Sequence, residues 1–206
     1  MSKLETNTID TVSGTSTLQV GSTNTSTITL GVSGDTINVP SGVTINNNGT
    51  QTGFGGTNTP AFHAHLSSSQ TNLSDGTDTK VACNSETYDT DNCYDNSSNY
   101  RFTPTTAGKY FVYAQVMGDS QGTANLVDTD LYIKKNNSVI LKGVMNFSNN
   151  NIRVCTHYAG GILDMNGSSD YAELYLYLNT SDGGSYAITG DSTQQRSFFG
   201  AYRIIT

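Results

Sequence analysis

The chain of 206 residues has no tryptophan, only three prolines and three cysteines, and few charges: Asp, Glu, Lys and Arg make up 13% of it. Each shortage removes a class of function. Lys and Arg form no cluster and the formal net charge is -7, which excludes an electrostatic nucleic-acid surface. Cys83, Cys93 and Cys155 have no metal-ligand spacing, and their odd number excludes a complete disulfide framework. Cys83 and Cys155 lie in apolar, strand-like stretches, as small buried thiols do; a Cys83–Cys155 bridge is the other arrangement open to them. No apolar run is long enough to cross a bilayer as a helix. Residues 1–10, MSKLETNTID, lack the apolar centre of a signal peptide. The expectation is a product assembled in the cytoplasm, or one exported without a cleaved signal. No stretch of helical periodicity exceeds about two turns.

What is abundant is Thr, Ser, Asn and Gly, together with 12 tyrosines. This is the composition of strands joined by tight turns, and it shifts near Thr57. Residues 1–56 hold one aromatic, Phe54, and read as short alternating strands: Leu18/Val20, Ile28/Leu30/Val32, Ile37/Val39 and Val43/Ile45. GVSGDTINVPSGVTINNNG, residues 31–49, is a loose repeat of about seven or eight residues per strand and turn. With two or three apolar residues per strand, a single copy buries too little surface to offset its ordering entropy. Such an arm is a disordered linker, is wound with copies of itself, or lies on a partner.

Residues 57–206 read as a compact β-domain. Phe62, Ala64 and Leu66 alternate with His63 and His65, and Val81/Cys83 and Tyr100/Phe102 follow. In residues 110–116, Tyr110, Val112, Ala114 and Val116 point one way, Phe111 and Tyr113 the other. Leu131/Ile133 and Val139/Leu141 flank Asn136-Asn137, a hairpin turn. Ile152/Val154 lead to a break at Gly160-Gly161 and a short strand at residues 162–163. Residues 171–178 put Leu174, Leu176 and Leu178 on one face, Tyr175 and Tyr177 on the other. Residues 198–205 are apolar on both faces. Eight to ten short strands without helices imply a sandwich or jelly roll. A strand apolar on both sides must be covered twice. The tyrosine faces therefore read as an oligomer interface through Phe111, Tyr113, Tyr171, Tyr175 and Tyr177, with an exposed aromatic ligand patch as the alternative.

The order of these features resembles a known family. NYRFTPTTAGKYFV at residues 99–112 is similar to the central signature of C1q-like domains, the jelly rolls related to tumour necrosis factor. PAFHAHL at 60–66 resembles their first strand, DLYIKKNNSVI at 130–140 their strand-turn segment, and GGILDMNGSSDYAELYLYL at 160–178 their long aromatic strand. SFFGAYRII at 197–205 resembles the closing strand. The resemblance implies a C1q/TNF-like jelly-roll head that forms a homotrimer through its aromatic strands. Residues 1–56 carry no collagen-type repeat. A Thr/Asn/Gly-rich β-arm before such a head is similar instead to bacteriophage structural proteins. That resemblance implies a virion-surface projection, attached to capsid or tail proteins through residues 1–56: a capsid decoration or short head fibre, or else a tail-fibre tip that recognises a host surface glycan. A stand-alone C1q-like adhesin is the reading from a second class.

Candidate chemistry is sparse. His63 and His65, at i and i+2, have the spacing of a metal pair but lack an evident third ligand; two polar-face histidines are the plain alternative. Asp89, Asp91 and Asp95 in YDTDNCYDN are a candidate ligand loop for calcium or sugar, without the glycine and closing glutamate of an EF-hand; a solvated acidic turn is the alternative. Nucleophile elbows, phosphate loops and Cys/His dyads are lacking, and Glu86 and Glu173 stand alone. The expectation is a non-enzymatic protein with no cofactor and no bound metal. The Asn-x-Ser/Thr sequences at Asn96 and Asn146 are of the kind an Asn/Ser/Thr-rich chain produces by chance.

Overall fold

The computed structural model describes residues 20–21, 23–49, 58–122 and 125–204. The chain divides into two units, Met1–Thr52 and Gly53–Thr206. The boundary expected at 56/57, and Leu18, Phe54 and Ile205, lie outside the described residues.

The larger unit is all-β. Among its described residues thirteen strands run in the order β1 (Ala61–His65), β2 (Ser68–Leu73), β3 (Thr79–Lys80), β4 (Ser85–Asp89), β5 (Tyr94–Asp95), β6 (Arg101–Phe102), β7 (Gly108–Asp119), β8 (Leu126–Lys135), β9 (Ser138–Asn146), β10 (Val154–Met165), β11 (Ala172–Thr180), β12 (Tyr186–Asp191) and β13 (Phe198–Arg203). They form two antiparallel sheets. One follows the path β2-β12-β7-β13-β1-β4, with β10 on the other edge of β7; the second runs β5-β6-β11-β8-β9, with β3 also on β11. Of the long strands, β7, β10, β12 and β13 lie in the first sheet and β8, β9 and β11 in the second, and β13 returns to lie between β1 and β7. This is the jelly-roll sandwich that the resemblance implies.

The inner faces follow the period-two pattern. Tyr110, Val112, Ala114 and Val116 of β7 are fully buried, as are Leu174, Leu176 and Leu178 of β11 and Leu131 and Ile133 of β8. Phe62 stacks on Tyr94 with ring centroids 4.4 Å apart and meets Phe102 and Phe199. The Tyr110 hydroxyl donates to the Thr106 carbonyl at 2.7 Å, so its polar tip is satisfied. Asn136 and Asn137 both have positive φ (49° and 66°) and close the β8–β9 hairpin, as their type predicts.

Three expectations need correction. The Gly160-Gly161 break does not exist: β10 runs through it and pairs with β7 from Val154 to Met165. The glycines instead make room for packing. A Cβ on Gly161 would lie 2.8 Å from Leu141, and one on Gly160 would lie 3.2 Å from the Phe111 ring. Val81 and Cys83 are buried but follow β3 rather than forming a strand. Conversely, β2, with the sequence SSQTNL, has no apolar alternation to betray it; it pairs with β12. The third correction concerns the arm. Among its described residues no strand forms. Two turns of one kind recur there: Asp35 N–H donates to the Val32 carbonyl (3.0 Å) and Val43 N–H to the Pro40 carbonyl (3.2 Å), with Gly34 and Gly42 at positive φ in the third position. A strand needs a ladder partner, and this segment supplies none of its own.

All three cysteines are free and buried. Burial pushes the Cys83 and Cys93 thiols far up and that of Cys155 up to about 11, with Asp89 reinforcing the effect at Cys93. A thiol-specific reagent at mildly alkaline pH should titrate none of them in the native protein and all three after denaturation; rapid native reaction at any of them would contradict this packing.

His157 of β10 points into the sandwich. It is buried, and its Nε2 has no hydrogen-bond partner. Burial lowers its pKa from the ordinary 6.5, opposed in part by Asp130, and His65 shifts the same way through burial and the neighbouring His63. A depressed folded-state pKa means that the unfolded chain protonates first. Stability is therefore intact above about pH 6.5 and declines as pH falls through the folded value. Urea midpoints should drop between about pH 7.5 and about pH 5.5, and His157→Leu should flatten that dependence.

Candidate functional site

The outward face of β7 anchors the site. Phe111, Tyr113 and Gln115 alternate with the buried set, and pairing registers place their neighbours in rows across the sheet. Tyr113 lies opposite Gly200 on β13 and Gly160 on β10; Phe111 lies between Tyr202 and Ile162; Gln115 lies between Phe198 and Tyr158. His63 of β1 lies opposite Gly200 on one side and Tyr88 of β4 on the other.

Two glycines thus flank the central tyrosine. A Cβ on Gly200 would sit 2.5 Å from the Tyr113 hydroxyl oxygen and 2.9 Å from Cε2. The bare backbone lets the ring lie over β13 and reach His63, whose Nδ1 is 3.1 Å from the Tyr113 hydroxyl. His63 Nε2 is 3.0 Å from Gln195 Oε1, and Gln195 Nε2 donates to the Thr87 hydroxyl. Because Gln195 offers its oxygen, Nε2 carries the imidazole proton and Nδ1 accepts from Tyr113; the tautomer is assigned from this network. Burial and the Tyr88 hydroxyl raise the Tyr113 pKa, which keeps the phenol a donor.

Around this centre the rings are continuous. Phe111 stacks with Tyr113 (centroids 6.2 Å) and meets Tyr202 (5.7 Å); Phe198 meets His63 (5.2 Å) and Tyr113 (6.2 Å); Tyr88 meets His63 (6.3 Å). At the margins Tyr158 and Ile162 are 61% and 56% exposed, and Tyr88 and Tyr202 are also exposed. So many rings side by side, with few charges among them, form a surface of the kind that associates.

The five residues expected to share an interface do not share a face. Phe111 and Tyr113 belong here, whereas β11 carries Tyr175 and Tyr177 on the outer side of the other sheet, with Tyr171 at its start. There the tyrosines sit among cations. Lys134 Nζ is 4.1 Å from the Tyr175 ring centroid and pairs with Asp78 at 2.7 Å. Lys80 Nζ is 5.6 Å from the same ring and pairs with the buried Glu173 at 2.7 Å, and Arg101 lies over Tyr171 at 4.6 Å. That face is a charged, hydrogen-bonded surface. Tyr88, Phe198, Tyr202, Tyr158 and Gly200 were not singled out from the sequence. The one usable signal was the two-faced apolar pattern of residues 198–205.

Asp89, Asp91 and Asp95 hold their own loop. Asp89 accepts from the Cys93 and Tyr94 N–H groups and from the Cys93 thiol. Asp95 accepts from Ser97, Ser98 and Asn99 N–H, and the Ser98 and Ser97 amides keep its carboxyl well below the usual range. Asp91 accepts from the Thr90 hydroxyl. Among the described residues no three His, Cys, Asp or Glu side chains converge on a metal position. Beside the loop lies a cavity of about 300 Å³ lined by Asn92, Cys93, Tyr94, Asp95, Asn99, Arg101 and Thr103.

No protein-family model matches the chain, and no curated protein matches it in sequence. Among solved structures it is similar to the crystal structure of murine APRIL at pH 5.0, with 11% identity and a TM-score of 0.47, covering 70% of this chain and 98% of that one.

Replacing Gly200 by alanine should force the Tyr113 ring off β13 and break its bond to His63, at a cost of about 1–3 kcal/mol. In Gly200→Ala/Tyr113→Ala most of the steric part should vanish, giving a coupling of at least about 0.5 kcal/mol in a urea double-mutant cycle. Strict additivity would contradict the contact.

Proposed function

We propose that this chain is a non-enzymatic structural protein of a bacteriophage virion. Its jelly-roll head trimerises, and residues 1–56 attach the trimer to a capsid or tail protein as a decoration or short head fibre, assembled in the bacterial cytoplasm and displayed on the particle. The single observation that carries the self-association is the aromatic face around Tyr113: rings on β4, β7 and β13 surround a histidine whose two nitrogens are already engaged, so the surface offers area rather than reactive groups. Burying such rings contributes through area and through edge and stacking geometry. The virion assignment is supported by the sequence resemblance of arm and head.

A receptor-binding tip is the second reading, favoured by the polar cavity at residues 92–103. Its asparagines and arginine are groups that hydrogen-bond sugar hydroxyls, and a glycan array probed with the purified chain separates the two roles.

The trimer is tested by two substitutions three residues apart on β7, on its opposite faces. Tyr113→Asp places a carboxylate on the outer face and should yield folded monomers by sedimentation equilibrium. Tyr110→Asp places one in the core, costs about 4 kcal/mol or more, and should unfold the head. A wild-type chain that sediments as a folded monomer overturns the trimer. Immunogold labelling of particles decides the attachment.

A further inference from the structure

Between residues 20 and 49 the arm presents an apolar series that nothing in its own unit covers. Ile28, Leu30, Ile37, Val39, Val43 and Ile45 are all exposed, from 41% to 66%. They recur with the turns: the Ser-Gly pairs at 33–34 and 41–42 are one repeat apart, and each is followed by a Thr-Ile-Asn triplet, at 36–38 and 44–46. The segment holds one charged side chain, Asp35, whose carboxylate accepts the Val32 N–H at 2.8 Å and so closes its own turn.

We infer that residues 20–49 are a self-pairing shaft, whose partner is the same segment in the other copies of this chain rather than the particle. Three features favour that occupant. A surface with this turn-and-triplet spacing is matched residue for residue by a copy of itself, which has the same spacing by construction. Identical strands side by side place like residues opposite one another, which is tolerated only where they are uncharged; here the facing positions would be Thr, Asn, Ile and Val, which form hydrogen-bonded and apolar cross-strand pairs. The inference rests on the proposed homo-oligomer, because cyclic symmetry holds equivalent residues of the copies at the same height and so sets the register to zero offset. Joining the arms to an associating head also makes their pairing effectively intramolecular. Attachment to a particle then falls to the residues before the shaft.

The test uses the full chain, with its buried native thiols measured as background. In Ile37→Cys the new thiol belongs to the apolar series, and in Asn38→Cys it belongs to the opposite face. A second pair, Ile45→Cys and Asn46→Cys, samples the next repeat should one substitution disturb pairing locally. With the oligomeric state measured on the same samples, the Ile positions should react with a maleimide at least about tenfold more slowly than the Asn positions, as expected for thiols shielded by the arm's own copies. If the chain is trimeric but all four thiols react at one fast rate, the shaft is wrong and the trimer stands. If protection appears only when particles are added, the apolar series belongs to the particle and the inference is overturned. A monomeric chain overturns both.

Discussion

Strand β7 constrains everything around it. One edge is bonded along its whole length to β10, and the other to β13 and then β12. Its inner face is closed by the leucines of β11 and by Phe102, whose ring is 5.4 Å from that of Tyr110. Three of its four sides are thus satisfied within the chain. The remaining side carries Phe111 and Tyr113, and the strands that β7 recruits bring Tyr202, Phe198, His63 and Tyr158 alongside them. The candidate interface is a consequence of central placement: a middle strand with apolar residues on both faces gathers its neighbours' outward residues around it.

The same requirement is met differently on the other sheet. β11 also alternates leucine with tyrosine, but its Tyr175 is clothed by Lys80, Lys134 and their carboxylate partners. Tyr and Lys together form a surface that water can cover, since the ring accepts a cation on its face and the hydroxyl remains polar. Two strands with near-identical patterns therefore end with different surfaces, and the charge brought in by neighbouring strands makes the difference. The arm meets the requirement in a third way. It has apolar alternation without any internal cover, and the proposed shaft supplies that cover from other copies.

Much of the fold was legible beforehand because period-two alternation reports directly which residues face a core. The inward sets of β7, β8 and β11 and the Asn136-Asn137 hairpin were all visible in this way. Polar β2 was not, since Ser68–Leu73 is held by backbone bonds to β12 and leaves no apolar trace. The glycines misled for a related reason. Gly160 and Gly161 look like a break, yet they sit within a ladder because Phe111 and Leu141 occupy the space their side chains would fill. In the acidic loop Asp89 and Asp95 accept amides two to five residues onward and Asp91 accepts the Thr90 hydroxyl, so these carboxylates serve the loop itself.

The sequence by itself determined the class of structure: all-β, arm and head, with a core face for each strong strand, because these depend on local alternation and composition. Only the tertiary structure decided which outward aromatics meet. Whether Tyr113 joins Tyr177 or Phe198 depends on which strands are neighbours. That is set by long-range pairing between segments some eighty residues apart, and no local pattern encodes it. Hence Phe111 and Tyr113 part company with Tyr171, Tyr175 and Tyr177, and acquire His63, Phe198 and Tyr202 instead.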